Sequence, residues 1–191
     1  MEFIRGFIKK FGRLSIESED AYLSLLVEKK LPKGTIIAKK GETPTKFFML
    51  KSGIARSYFT DENDKQYTRT LFRPVASVGA FSALILDKPS RLTYDCLTNC
   101  EVYEGDFKAF KKLTKERADI ANMYARGLEG VFIRMEKRIY NLSVLDAKER
   151  YLELKDRIPE IDNLIPQYHI ASYLNITPVQ MSRIRKDLYS K

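Results

Sequence analysis

The residues best suited to chemistry lie near the end of the chain, in Thr177-Pro178-Val179-Gln180-Met181-Ser182-Arg183-Ile184-Arg185-Lys186-Asp187-Leu188. On a helix, Met181, Ile184 and Leu188 fall on one side. Pro178, Val179, Ser182, Arg183 and Lys186 are left on the other. The guanidinium of Arg183 is a planar fork of donors that can meet O6 and N7 of guanine together. Gln180 and Ser182 can hydrogen-bond phosphates or base edges, Lys186 can neutralise a phosphate, and Val179 can touch a thymine methyl. From Thr177 onward Arg183, Arg185, Lys186 and Lys191 oppose only Asp187. This is the chemistry of a helix laid in the major groove of double-stranded DNA.

Such a helix needs a support at a fixed angle, and the preceding residues supply one. A first helix is predicted from Gln167 to Leu174, with Ile170, Ala171 and Leu174 facing inward. Ala171 is small where a second helix must approach. Asn175 tolerates the left-handed conformation that ends a helix, Thr177 is a good N-cap and Pro178 suits the first helical position. The spacing predicts a helix-turn-helix. His169, the single histidine of the chain, is expected on an exposed face of the first helix.

The chain has 191 residues, with 34 Lys and Arg against 25 Asp and Glu, a net charge of +9. That excess favours a polyanionic partner. No apolar run is long enough to span a membrane and the opening residues lack a signal-peptide core, so a cytoplasmic protein with no membrane partner is expected. The basic, amphipathic stretch Phe3–Phe11 reads as a helix covering the next domain. Ala21, Leu25, Leu26 and Lys29 are assigned to one further helix begun by Glu17, Glu19 and Asp20.

From Leu31 to Glu104 the texture is short β-rich runs between glycine and turn clusters, which predicts an antiparallel sandwich or barrel. Arg56–Phe59 and Tyr67–Thr70 flank the acidic turn Asp61-Glu62-Asn63-Asp64 as a hairpin. A long helix is predicted over about 114–142. Tyr124, Leu128, Val131, Met135 and Leu142 form an apolar seam on it, widened by Phe132 and Ile139, that could join two copies of the chain. Asp146 and Glu149 form a capping box. The expected division is therefore 1–145, a β-roll with cover helices and a dimerisation helix, and 146–191, a DNA-binding unit. The fold class is α+β.

Cys96 and Cys100 are read as buried, inert thiols, roughly 13 Å apart if the strand between them is extended. Two cysteines are too few for an iron–sulfur cluster. One histidine, outside the barrel, offers neither a metal site nor a Ser-His-Asp or Cys-His arrangement. No metal, no cofactor and no enzyme activity are expected.

The order of parts resembles the cyclic-AMP-receptor/fumarate-nitrate-regulator (Crp/Fnr) family of bacterial transcription factors. The residues that carry the likeness are Gly34, Gly41, Gly53 and Gly79 of the roll, Asn141–Asp146 as a hinge, and Ile170-Ala171 with Ser182-Arg183-Ile184 in the helix-turn-helix. The resemblance implies a homodimer on a palindromic operator, contact with RNA polymerase, and a small-molecule effector held in a cyclic-nucleotide-binding-like jelly roll. It places the effector pocket at Gly79, Ala80, Ser90, Arg91 and Met135. Cyclic-nucleotide binders of the family carry Gly-Glu-Leu and then an Arg-Ser-Ala-like triplet, the Glu for ribose and the Arg for phosphate. Here Gly79-Ala80-Phe81 lacks the acceptor, Ser90 occupies the arginine position and Arg91 stands one place late. Cyclic AMP is therefore not the expected ligand. A β-hairpin wing beside the helix-turn-helix could come only from Arg157–Ile165, where prolines leave little room for strands. The rival reading is a small-molecule-binding roll with a vestigial DNA-binding domain, and a DNA-binding assay separates the two.

Overall fold

The computed structural model describes residues 2–189. Two four-stranded antiparallel sheets face each other. One has the order β1 (Leu26–Leu31), β8 (Cys100–Asp106), β3 (Lys46–Ser52), β6 (Ala76–Val78). The other has the order β2 (Ile36–Ala38), β7 (Thr93–Cys96), β4 (Ala55–Thr60), β5 (Gln66–Phe72). Side chains alternate across a strand, yet Phe47, Phe48, Met49 and Leu50 are all buried. Sheet β1-β8-β3-β6 is covered on both sides. Phe48 and Leu50 fill the roll with Val78, Tyr94 and Val102, while Phe47 and Met49 pack against helices.

Two glycines are required by close approach. Gly53 has φ +89°, and a Cβ there would stand 2.4 Å from the Asn99 carbonyl oxygen. Gly105 pairs with Phe47 across the sheet, and a Cβ would stand 2.5 Å from that ring. The acidic turn forms as expected. Asp61 accepts the amides of Asn63 at 2.9 Å and Lys65 at 3.0 Å, and β4 and β5 pair as a hairpin with a bulge after Ser57.

Helix α1 (Glu2–Phe11) buries Ile4, Phe7 and Ile8 on the roll, the cover helix its pattern suggested. Helix α2 (Ile16–Ser24) follows, capped by Ser15. The helix assigned through Leu26 and Lys29 is corrected here. The chain leaves α2 after Ser24 and enters β1, where Lys29 meets Glu104 at 3.0 Å across the ladder with β8. Leu-Leu-Val-Glu-Lys-Lys suits either state locally, and pairing with a distant strand decides. Helix α3 (Phe81–Leu86) follows β6, and neither was foreseen.

The long helix is also corrected. In place of one helix over 114–142 there are α4 (Phe107–Glu116) and α5 (Ala118–Val144). Arg117 between them is extended, at φ −133° and ψ 109°. Asp119, in the first turn of α5, accepts the Ser15 amide and the Ser18 hydroxyl, both at 2.9 Å. That tie to the α2 cap fixes where α5 begins. The helix then passes through Gly127 and Gly130 without a break.

Cys96 ends β7 and Cys100 begins β8, so the chain reverses between them and the extended-strand separation does not apply. Both are free thiols inside the roll. The neighbouring Cys100 thiol and burial push the Cys96 thiol up. Among the described residues, no helix is long and apolar enough to cross a membrane.

Candidate nucleic-acid interface

The C-terminal helices are α6 (Ala147–Arg157), α7 (Ile161–Leu164), α8 (Gln167–Leu174) and α9 (Pro178–Tyr189). Asp146 and Glu149 close the capping box that starts α6. Helix α8 has the bounds its sequence predicted. Asn175 ends it at φ 57°, in the left-handed region, and gives its amide to the last carbonyls of the helix. Ile170, Ala171, Leu174 and Met181 are buried together, with Ile184 and Leu188 packed against them. Where a wing was considered, α7 occupies residues 161–164. Asp162 of α7 accepts the Tyr151 hydroxyl at 2.6 Å and the Lys155 amine at 3.1 Å, and it faces Arg185 at 4.0 Å. One half-buried carboxylate thus ties α7 to α6, and Arg185 of α9 stands near it without a hydrogen bond.

On that scaffold Val179, Gln180, Ser182, Arg183 and Lys186 are all exposed. Among the described residues Ser182, Arg183 and Lys186 have no side-chain partner. Gln180 differs. Its side-chain oxygen accepts the Thr177 amide at 2.9 Å, while its own amide donates to the Thr177 hydroxyl at 3.1 Å. This reciprocal cap opens α9, so part of Gln180 is already spent on the helix start.

The expectation for His169 is overturned. It is only 7 % exposed, because α8 lies against sheet β2-β7-β4-β5 of the roll. Arg56 on β4 is buried there, paired with Asp95 on β7 at 2.8 Å. Its guanidinium also donates to Gln66 at 2.7 Å and lies 3.0 Å from Nδ1 of His169. Arginine has only donors, so Nδ1 accepts and the proton of the neutral ring is on Nε2. Burial, and then the Arg56 charge, push the His169 pKa down to about 4. Ser172 completes the contact. Its hydroxyl accepts the Thr68 amide at 2.8 Å and donates to the Gln66 carbonyl at 3.2 Å. Strand β5 is an edge strand, and Ser172 stands in for the strand that would otherwise pair there. Ile54, Leu71 and Leu97 of the roll join the core of the C-terminal helices beside it.

Residues 28–117 match the family model described as the cyclic nucleotide-binding domain. Solved structures align over most of the chain. FixK2 from Bradyrhizobium japonicum has a TM-score of 0.72 at 18% identity, covering 86% of this chain and 85% of that one. The chain is built on the Crp/Fnr fold. Two more Crp/Fnr folds align with it. The c-di-GMP responsive global regulator CLP from Xanthomonas campestris has a TM-score of 0.64 at 14% identity, over 92% of both chains. The catabolite activator protein of Thermus thermophilus has 0.57 at 18% identity, over 94% of this chain and 86% of that one. No curated protein sequence matches the chain significantly.

The positions singled out within this Crp/Fnr fold divide into two groups. Gly79, Ala80, Ser90 and Arg91 flank α3. Ala80 is buried in the packed interior of the roll. Ser90 is buried too, and its hydroxyl is spent on the Leu92 carbonyl at 2.7 Å. Arg91 is exposed. Met135 projects from α5, 46 % exposed, and joins none of the packed clusters. On the same helix Leu128, Val131, Phe132, Ile139 and Leu142 are exposed as well, Phe132 and Ile139 by about two thirds. Tyr124 instead packs against the chain's own core, edge-on to Phe110 at 5.4 Å.

Proposed function

We propose that this chain is a homodimeric, sequence-specific DNA-binding transcription regulator, with residues 146–191 as its reading unit. The observation that carries this is the outer face of α9. Arg183, Ser182 and Lys186 are exposed and uncommitted on a helix whose other face is buried, which is the state a groove-reading helix needs before it meets DNA. Pairing of two α5 helices would cover their exposed apolar seam and set two α9 helices for the half-sites of a palindrome. A regulator of this kind works in the cytoplasm.

Selection of bound DNA from a random pool should return a palindrome. On that operator Arg183→Ala should cost roughly 1–3 kcal/mol per half-site and relax preference at one base position. Lys186→Ala should weaken binding to all sequences alike and lower the salt slope by about one per subunit. The roles are misassigned if operator preference survives the first change and is erased by the second. Absence of any salt-sensitive preference in the wild-type protein leaves only the vestigial reading.

The roll is not expected to respond to cyclic AMP. Ala80 has no acceptor for a ribose hydroxyl, Ser90 is closed on Leu92, and Arg91 points to solvent. Millimolar cyclic AMP should leave the melting temperature unchanged, whereas a ligand at 100 times its Kd adds about 2.7 kcal/mol of stability. A saturable rise would restore the roll as a cyclic-nucleotide site, with Arg91→Ala as the variant that should then abolish it.

A further inference from the structure

Between the roll and the C-terminal helices lies a cleft of about 410 Å³. One wall carries Ile54, Arg73 and Pro74, and the other Arg157, Ile158, Glu160 and Leu164, so two arginines face one carboxylate. Small-molecule sites span roughly 300–1,000 Å³. The cleft is distinct from the interior of the roll, which is filled by its own side chains.

Its charge is unbalanced. Among the described residues, Arg73 has neither a hydrogen-bond nor an ion-pair partner. Arg157 has one polar partner, the neutral Tyr173 hydroxyl at 3.1 Å. Arg138 lies over the same Tyr173 ring, with its guanidinium carbon 4.0 Å from the centroid, and Arg157 at 5.5 Å. Arg134 adjoins this group: burial and then repulsion from Arg157 hold its pKa below the usual arginine value. The nearby carboxylates are already engaged. Glu153 takes Lys137 at 2.6 Å and the Asn141 amide. Glu160, which lines the cleft, holds the Asn163 amide at 2.9 Å with one oxygen and leaves the lining a net single positive charge. None of the four arginines forms an ion pair among the described residues. Like charges held together at a joint are destabilising unless an anion joins them, and the guanidinium fork matches phosphate oxygens bidentately.

We propose that this cleft binds a nucleotide carrying at least two phosphates. Arg73 and Arg157, on opposite walls, hold the phosphates. The exposed apolar surfaces of Pro74 and Leu164 take the base, over a buried floor of Ile54 and Ile158. Such a ligand bridges the roll and the C-terminal helices and stabilises their docked arrangement. The proposal does not depend on what α9 reads.

The test is calorimetric titration of the full chain, without DNA, by inorganic pyrophosphate, GTP and guanosine. Pyrophosphate and GTP should bind saturably, GTP more tightly, and guanosine should not bind. Arg73→Ala should weaken both by about tenfold or more, the scale of one charge-assisted contact. Arg73 is exposed and unpartnered, so its removal leaves the fold intact. Arg157→Gln should act the same way, and Arg91→Ala should change nothing. Absence of saturable binding to the wild-type protein at millimolar ligand overturns the proposal. So does loss of binding in Arg91→Ala with Arg73→Ala unaffected, which puts the ligand in the roll. A third overturning result is unchanged pyrophosphate binding in both cleft variants together with a lower salt slope on DNA, which makes the arginines contacts to the DNA backbone.

Discussion

Val131→Glu and Met135→Glu are each expected to convert the protein to a monomer in solution. Both side chains are exposed within one subunit, Val131 by 37 % and Met135 by 46 %, so neither substitution disturbs a subunit core. In a two-fold interface along α5 each would bury an unpaired carboxylate twice. At about 2 kcal/mol for each uncompensated polar group the loss is about 4 kcal/mol, on the order of a thousandfold in the dimer dissociation constant. Tyr124→Glu is the informative contrast. Tyr124 packs on Phe110 inside its own subunit, so that change should lower the melting temperature as well as the mass. Light scattering reads the mass directly. If Val131→Glu and Met135→Glu both remain dimeric, α5 is not the main interface and the exposed seam has another partner.

What the sequence made legible was local. Asn175, Thr177, Pro178 and the Asp146–Glu149 pair each act through their own backbone or the next turn, and α8 ends, and α9 and α6 begin, where those signals put them. The strand runs from Ile36 to Phe72, and those of β7 and β8, were readable for the same reason, since turn residues punctuate them. The errors lie where a distant segment decides. β1 is a strand because β8 lies beside it. α5 begins at Ala118 because Asp119 reaches back to Ser15 and Ser18. Cys96 and Cys100 fall on different strands because the chain reverses between β7 and β8, each held in its own sheet by other strands. At the site, the outward face of α9 followed from periodicity, but Gln180's part in the cap did not. His169 looked exposed because nothing in its own helix shows that a sheet covers it. A signal did exist elsewhere. Arg56 interrupts the apolar run from Ile54 to Phe59 and Asp95 stands between Tyr94 and Cys96, two opposite charges inside buried strands. Charges in such places are paired, and the arginine of the pair also reaches the histidine.

That pair makes the joint between roll and C-terminal helices sensitive to mutation and to acid. Arg56→Met should be among the most destabilising single changes in the chain. It leaves the Asp95 carboxylate buried without its partner and removes the donor to Nδ1 of His169, a loss of about 3–5 kcal/mol and on the order of 10 °C in Tm. The pH dependence follows from His169. Its pKa is about 4 with α8 docked and near the ordinary 6.5 when α8 is released. The released form therefore binds more protons between those values, and docking is strongest above pH 6.5 and weakens as the pH falls towards 4. Below 4 this residue contributes no further change. Within the window the docking equilibrium should shift by up to about tenfold per pH unit. The charged groups around the ring do not reverse the sign: Arg56 and Lys33 oppose protonation, and only Asp95 favours it. The Thr68 amide reports the event, because its partner is Ser172 on α8. Its hydrogen exchange, corrected for the intrinsic rate, should accelerate from pH 7 to pH 5 in the wild-type protein. In Arg56→Met it should be fast at both. A Thr68 amide equally protected at pH 5 and pH 7, in a protein that still melts cooperatively, would show that His169 does not hold the two parts together.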